Sequence, residues 1–264
     1  MTQFPISPLD SSASEPTPQP APATQQVRLQ LPVAIPRVTY TILGLTIAVY
    51  LLQVLLYNSP VPGLDWLEYY GARINAPIRA GEIWRFITPI FLHASIPHIL
   101  FNMYALFLFG PGLERHFGHW RFLVLYMLTG FTGNVLSFIM MNDNGYSVGA
   151  STAIFGLIAA EGVFLFQNRE LFGKQAGRMI GNVVFVVVVN LFLDLLPGID
   201  IWGHIGGLLG GLIFTWFAGP RWRVEGIPPL LHLVDEREMR DVITGTLVAF
   251  IIFAGLAVWG ILFG

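Results

Sequence analysis

Seven stretches of the chain are apolar and almost free of charge. An α-helix rises about 1.5 Å per residue, so about 20 such residues cross a hydrocarbon core about 30 Å thick. Glu161 interrupts the fourth stretch and Asp194 ends the fifth early, which makes these two weaker candidates. The pattern predicts an all-α, polytopic membrane helix bundle. The stretches are 38–57, 94–113, 122–142, 150–166, 179–193, 201–220 and 242–264.

Composition agrees with this fold class and excludes several functions. Only 11% of the 264 residues are charged, whereas soluble domains average about 25%. The 14 Lys and Arg residues are scattered and the net charge is -2, so no basic surface for a nucleic acid is expected. The absence of cysteine from the sequence excludes disulfides, thiol nucleophiles and thiolate-bound metals.

The chain divides into three predicted regions. Residues 1–37 are rich in Pro, Ser, Ala and Thr and carry no apolar signal sequence, so we expect a disordered cytoplasmic tail. Residues 38–220 form a six-helix core, and residues 221–264 form a linker and a seventh helix. Within the core, residues 58–92 make a long first loop whose aromatic side chains are typical of the membrane interface.

The basic residues indicate how the bundle is oriented. With the N-terminus inside, the inner segments contain eleven of the 14 Lys and Arg residues, and the outer ones contain only Arg73, Arg79 and Arg85. Because cytoplasmic loops are enriched in Lys and Arg, we predict a cytoplasmic N-terminus, with a bacterial inner membrane as the default. An organellar or eukaryotic membrane stays open.

A few polar residues lie within the apolar stretches. His98 and Asn102 lie four residues apart in the second, Ser151 opens the fourth, and His204 lies near the start of the sixth. These three helices all run from outside to inside, so the four side chains share a similar depth near the outer leaflet. Polar groups in hydrocarbon usually face the bundle interior and mark function.

These residue types favour nucleophilic catalysis. A serine becomes a nucleophile when an imidazole accepts its proton, so Ser151 and His204 are the candidate nucleophile and base. The backbone N–H of Ser151, at a helix N-terminus, and the side chains of His98 and Asn102 are candidate oxyanion donors. Two loop carboxylates, Asp143 and Asp200, are expected to be solvated, and Glu161 and Asp194 have no obvious partner, so no triad is predicted.

Glycines accompany both candidate catalytic residues. Gly207 and Gly211 share a helix face with His204, and Gly149 and Gly156 bracket Ser151. Small residues let membrane helices approach closely. A direct contact between two short side chains, such as those of Ser151 and His204, requires that approach.

At these residues the sequence resembles the rhomboid family of intramembrane serine proteases. The resemblance spans residues 84–211, and Thr152 departs from it because many members have glycine there. The motif G-x-S-x-x-x-F-G matches Gly149-Ala150-Ser151-Thr152-Ala153-Ile154-Phe155-Gly156, and H-x-x-G-x-x-x-G matches His204, Gly207 and Gly211. The other matching positions are Trp84-Arg85, His93, His98, Asn102, Glu114 and Gly118.

The resemblance implies a role for each matching residue. It implies a dyad of Ser151 and His204, six core helices plus one, and substrate entry beside the fifth helix. Supporting roles at the oxyanion site or beside the dyad fall to His98, Asn102, Gly149 and Phe155, of which Phe155 is expected beneath the His204 ring. Structural roles are expected for Trp84, Arg85, Glu114, Gly207, Gly211 and His93.

The sequence thus predicts an intramembrane serine endopeptidase that cleaves transmembrane segments of other proteins near the outer leaflet. Its predicted partners are those substrates and the lipid bilayer, and the oligomeric state stays open. We predict no cofactor and no metal, since the sequence lacks the H-E-x-x-H zinc motif. Two alternatives remain: an inactive rhomboid-like protein that binds membrane clients, and a transporter.

Overall fold

The computed structural model describes residues 34–141, 145–227 and 230–264. Most of the predicted tail and Asp143 lie outside the described residues. Within them, six helices are long and apolar enough to cross a membrane, and one shorter apolar helix, α6, accompanies them. The seven are α1 (Arg37–Leu55), α4 (Ile96–Phe117), α5 (His119–Met140), α6 (Ser151–Gln167), α8 (Ala176–Leu193), α9 (Ile201–Ala218) and α10 (Met239–Phe263). The short helix α7 (Arg169–Phe172) precedes α8 and belongs to the same apolar span.

The predicted fold class, an all-α membrane bundle, is confirmed. Both weak stretches are helices: α6 continues through Glu161, and α8 ends at Leu193, with Asp194 as its C-terminal cap. Several basic residues predicted to lie on the inner side come near one another: Arg169, Arg221 and Arg237 line one cavity, and Arg121 donates to the Arg237 carbonyl oxygen. Arg28 lies outside the described residues. We call the end near Arg115, Arg121 and Arg169 the arginine-rich end.

Glycines hold α9 against α5 and α6 at the centre of the bundle. A Cβ atom on Gly207 would lie 2.0 Å from the Thr152 carbonyl oxygen, and one on Gly211 would lie 2.3 Å from the Gly156 carbonyl oxygen. Neither backbone oxygen can move aside, so no larger residue fits at these positions. The close approach of α6 and α9 that the glycine pattern predicts is therefore present.

Glu114 fastens α4 to α1 at the arginine-rich end. Its carboxylate accepts hydrogen bonds from the backbone N–H groups of Val38 and Thr39 at 2.8 and 2.7 Å and from the Thr39 hydroxyl at 2.6 Å. The His119 ring lies 2.6 Å away on the same carboxylate. Glu114 thus caps the first turn of α1.

The first loop is a folded cap. It contains α2 (Trp66–Gly71), β1 (Arg73–Ile74), α3 (Asn75–Arg79) and two 3₁₀ turns. Arg85 is 2% exposed and donates to the carbonyl oxygens of Tyr69 and Ala72, both at 2.7 Å, while Trp84 donates to that of Tyr70 at 2.9 Å. Strand β1 pairs antiparallel with β2 (Tyr146–Ser147), which ties the loop to the segment before α6.

Glu68 makes this loop sensitive to pH. Burial and the neighbouring Asp65 carboxylate raise the pKa of Glu68 to about 7. Because this pKa lies above the unfolded value, the contribution to stability is fully present below about pH 4.5 and is lost as the pH rises through about 7. We expect Glu68→Gln to reduce the fall in thermal midpoint between about pH 5 and pH 8, measured in detergent. A control variant of an exposed glutamate, Glu225→Gln, should keep the wild-type dependence, and an unchanged dependence in Glu68→Gln would contradict the assignment.

The predicted linker before α10 contains structure that the sequence did not indicate. Strands β3 (Trp222–Glu225) and β4 (His232–Asp235) pair antiparallel. Arg121, at the start of α5, forms an ion pair with Asp235 and donates to the Arg237 carbonyl oxygen at 2.9 Å. The hairpin therefore connects α10 to the core at the arginine-rich end.

Candidate active site

The structure brings Ser151 and His204 into direct contact. Ser151 is the first residue of α6, and His204 lies in the first turn of α9. The distance from Ser151 Oγ to His204 Nε2 is 2.7 Å, a hydrogen-bond distance. The glycine contacts between α6 and α9 make this distance possible, because both side chains are short.

A carboxylate lies on the other side of the imidazole. Asp194 Oδ2 is 2.6 Å from His204 Nδ1, and both residues are only 7% exposed. No partner for Asp194 was evident from the sequence, and this contact with His204 supplies one. The three side chains have the order of a Ser-His-Asp arrangement, in which Nε2 of the imidazole contacts Ser151 and Nδ1 contacts Asp194.

The His204 ring is also held by stacking. Its centroid lies 4.1 Å from that of the Phe155 ring, with 13° between the planes. Phe155 follows Ser151 by four residues, so both project from one face of α6. Thr152, the departure from the family pattern, points elsewhere: its side chain packs between Gly133 and Gly203, where neither helix offers a Cβ to clash with it.

Gly149 shapes the segment immediately before Ser151. Its φ of +128° is a conformation that favours glycine, and its N–H donates to the Pro89 carbonyl oxygen at 2.9 Å. A Cβ atom at Gly149 would lie 2.6 Å from His98 Nε2 and 3.6 Å from Ser151 Oγ. The His98 ring and the Ser151 hydroxyl therefore border the same small space, which a side chain at 149 would fill.

The Asn102 amide has a different orientation from the one predicted for an oxyanion donor. Its Nδ2 donates to the His98 carbonyl oxygen, one turn back on α4, at 2.9 Å. Donation by this amide to an oxyanion beside Ser151 requires a side-chain rotation, and the role stays a prediction.

His93 is buried, and its Nε2 lies 3.4 Å from the Ala150 backbone nitrogen. Burial and the nearby His98 lower the pKa of His93 to about 3, so its ring is neutral.

Asp200 is not the solvated loop residue that the sequence analysis expects. It is partly buried and caps α9: Oδ1 accepts the Gly203 N–H at 2.9 Å, and Oδ2 accepts the Ser137 hydroxyl at 2.5 Å. This cap fixes the first turn of α9, where His204 lies. Asp200 therefore supports the site as the N-terminal cap of α9 and is not one of the hydrogen-bond partners of the His204 imidazole.

A comparison with protein families decides the relationship that the motifs suggest. A family profile described as the rhomboid domain matches residues 80–221, more than half of the chain. The chain belongs to the rhomboid family. The matched region includes every residue of the Ser151, His204 and Asp194 cluster, and it ends before α10.

Several curated rhomboid proteins are similar to the chain. Rhomboid protease GluP of Bacillus subtilis is 39% identical over 174 residues, which cover 66% of this chain and 33% of that protein. Rhomboid-like protease 1 of Toxoplasma gondii is 34% identical and covers 69% of each chain. The Bacillus subtilis protein YdcA, whose name contains the words rhomboid protease, is 38% identical, covering 69% of this chain and 88% of its own. The chain thus spans about a third of the length of GluP and most of the length of YdcA.

Proposed function

We propose that this rhomboid protein is an intramembrane serine endopeptidase in which Ser151 is the nucleophile and His204 the general base. The observation that carries the proposal is the 2.7 Å contact between Ser151 Oγ and His204 Nε2 at the start of two membrane helices. The Asn102 amide nearby donates to a backbone carbonyl, whereas these two side chains bind each other. The names of the relatives support the same activity.

The reaction follows from this geometry. As Ser151 Oγ attacks the scissile carbonyl carbon, its proton passes to His204 Nε2, and a tetrahedral oxyanion forms. The Ser151 N–H at the α6 N-terminus and the His98 ring are the proposed donors to that oxyanion. His204 then gives its proton to the leaving amine as the C–N bond breaks. Water, deprotonated by His204, attacks the acyl-enzyme ester, the bond to Ser151 Oγ breaks, and His204 returns the proton to Oγ.

We assign Asp194 the role of a positioning residue. Its carboxylate accepts a hydrogen bond from the N–H at His204 Nδ1, which leaves Nε2 unprotonated and free to accept the Ser151 proton. It also stabilises the positive charge that develops on the imidazole when the proton arrives. Asp194 acts through His204 and does not contact the peptide.

The substrates proposed are transmembrane segments of other proteins, cut near the outer leaflet. A helical carbonyl is hydrogen-bonded and shielded, so the segment must unwind before Ser151 can reach it. Helix-breaking or small residues near the substrate's outer boundary should therefore favour cleavage.

The charge distribution supports a cytoplasmic N-terminus and an outward-facing Ser151 end, with a bacterial inner membrane as the default. We propose that substrates enter beside α8, where several residues of the valine-rich run are exposed.

A serine-directed fluorophosphonate probe tests the nucleophile and the base together. We expect the wild-type protein to be labelled at Ser151. The labelling rate of His204→Ala should be lower by at least about 100-fold, because the hydroxyl then lacks its base. The control is His232→Ala, an exposed histidine in β4, which should label like the wild type. Label attached to another serine, or undiminished in His204→Ala, would contradict the proposal and favour the inactive client-binding alternative.

A further inference from the structure

An arginine-lined cavity and an apolar groove meet at the arginine-rich end of the bundle, far from Ser151. The cavity has a volume of about 270 Å³ and is lined by Arg169, Arg221 and Arg237 with a single carboxylate, Glu170. The groove has a volume of about 690 Å³ and is lined by apolar residues of α6, α8 and α9. Phe166 and Trp216 line both spaces, so the two are adjacent.

The cavity carries unmatched positive charge. Arg169 lies over the Phe166 ring at 4.8 Å and pairs with no carboxylate in the described part of the chain. Arg237 donates to the Trp216 carbonyl oxygen at 3.0 Å, and its buried Nε has no hydrogen-bond partner among the described residues. Arg221 has a carboxylate near it, Glu236 at 3.4 Å. Planar guanidinium groups that have N–H donors without a carboxylate partner bind phosphate well.

Gln167, which also lines the cavity, has an unsatisfied hydrogen-bond acceptor. Gln167 donates through Nε2 to the Trp216 carbonyl oxygen at 3.0 Å, but its buried Oε1 has no partner among the described residues. A phosphate diester has no hydrogen to offer this oxygen, whereas a hydroxyl does. The cavity therefore suits a headgroup that combines a phosphate with hydroxyl groups.

The groove supplies the apolar half of such a ligand site. Its lining on α8 runs from Ile180 to Val187, which is about 10 Å along the helix axis. Only 6% of the apolar window of residues 169–193 is buried within the protein, so α8 packs on α6 but leaves the space toward α9 open. A space of this length with apolar walls has the dimensions and chemistry to hold an acyl chain.

We propose that the cavity and groove together bind one anionic glycerophospholipid with headgroup hydroxyls, of the phosphatidylglycerol class. The phosphate lies between Arg169 and Arg237, a headgroup hydroxyl donates to Gln167 Oε1, and one acyl chain lies in the groove between α8 and α9. The excess of positive charge favours an anionic lipid over a zwitterionic one of the same chain length. Neither the site nor its occupant depends on the proposed peptidase activity.

Native mass spectrometry tests the proposal on the full chain. Protein in detergent micelles is mixed with equal amounts of phosphatidylglycerol and phosphatidylcholine of matched acyl chains, and the lipid retained per chain is counted. We expect one phosphatidylglycerol to be retained in preference to phosphatidylcholine. Each arginine near an anionic lipid contributes a similar share of the binding free energy. Removing two of them in Arg169→Gln/Arg237→Gln should therefore weaken retention of the lipid about 30-fold.

Matched control variants distinguish binding at this site from nonspecific uptake of lipid. Arg223→Gln/Arg240→Gln removes two exposed arginines from the same end, each next to a glutamate, and should retain the lipid like the wild type. Leu212→Trp fills the groove without changing charge and should also lose the lipid. Equal retention of both lipids, full retention in Arg169→Gln/Arg237→Gln, or competition by soluble glycerol phosphate as strong as by the lipid would overturn the proposal. Arg169→Gln alone, which removes an exposed side chain, gives the same test if the double variant fails to fold.

Discussion

Replacing Ser151 with alanine is expected to abolish cleavage of a single-span reporter protein, with a loss of at least about 10⁴-fold in rate. The change removes the only atom of the cluster that can form the acyl-enzyme, while His204, Asp194 and the oxyanion donors stay in place. The rate is measured from the appearance of the cleaved reporter on co-expression, and by fluorophosphonate labelling of the purified protein. We expect no label at residue 151 and an unchanged expression level.

The matched control is Ser59→Ala, the same chemical change at a partly exposed serine of the first loop. It should leave cleavage within about threefold of the wild type, as surface substitutions usually do. The prediction fails if Ser151→Ala cleaves the reporter at the wild-type rate. Loss in Ser151→Ala together with retention in Ser59→Ala would make Ser151 the nucleophile in this chain. If labelling persists but cleavage stops, the hydroxyl that reacts belongs to another residue.

Much of the fold follows from the sequence because hydropathy is a local property. The predicted stretch 179–193 ends where α8 ends, at Leu193, and the charged residue that interrupts the apolar pattern, Asp194, is the C-terminal cap of the helix. The glycines at 207 and 211 likewise indicated a close helix contact, since their effect depends only on the absence of a side chain. The pairing of Ser151 with His204 was predictable from their shared depth and from these glycines.

The contacts that local patterns do not determine were missed. Asp194 and His204 are ten residues apart, and their contact depends on how the segment between α8 and α9 turns back, with Gly198 at a φ of +90°. No periodicity encodes that turn. A signal was present, because a carboxylate at the end of an apolar stretch requires a partner, but the partner's identity needs coordinates. The β3–β4 hairpin was missed for the same reason, since its strands are only four residues each.

The first loop and α8 reach the catalytic cluster from two sides. The Pro89 carbonyl oxygen of the loop accepts the Gly149 N–H, which holds the segment before Ser151. Asp194, at the end of α8, holds His204. A helix with few buried side chains is thus followed directly by the residue proposed to orient the base. Movement of α8 would separate Asp194 from His204, so the proposed substrate entry beside α8 would also change the orientation of the imidazole.

Replacing Asp194 with asparagine is expected to lower kcat by about 100- to 10,000-fold with little change in KM. The asparagine amide can donate to His204 Nδ1, which favours the tautomer whose Nε2 carries the proton and so cannot accept one from Ser151. Substrate binding does not involve Asp194, so KM should stay near the wild-type value. Cleavage kinetics with a purified reporter in detergent separate the two constants.

A second set of variants distinguishes positioning from mere structural support. Asp200→Asn lies in the same segment between α8 and α9 and keeps the side-chain oxygen that caps α9, because asparagine caps as well as aspartate, so its activity should fall far less than that of Asp194→Asn. The thermal midpoint of Asp194→Asn should lie near that of Asp200→Asn while its kcat is far lower, since the exchange preserves shape and a hydrogen bond. If kcat and thermal midpoint fell together in Asp194→Asn, or if kcat did not fall, Asp194 would be a residue that only stabilises the fold, and His204 would act as a base without it.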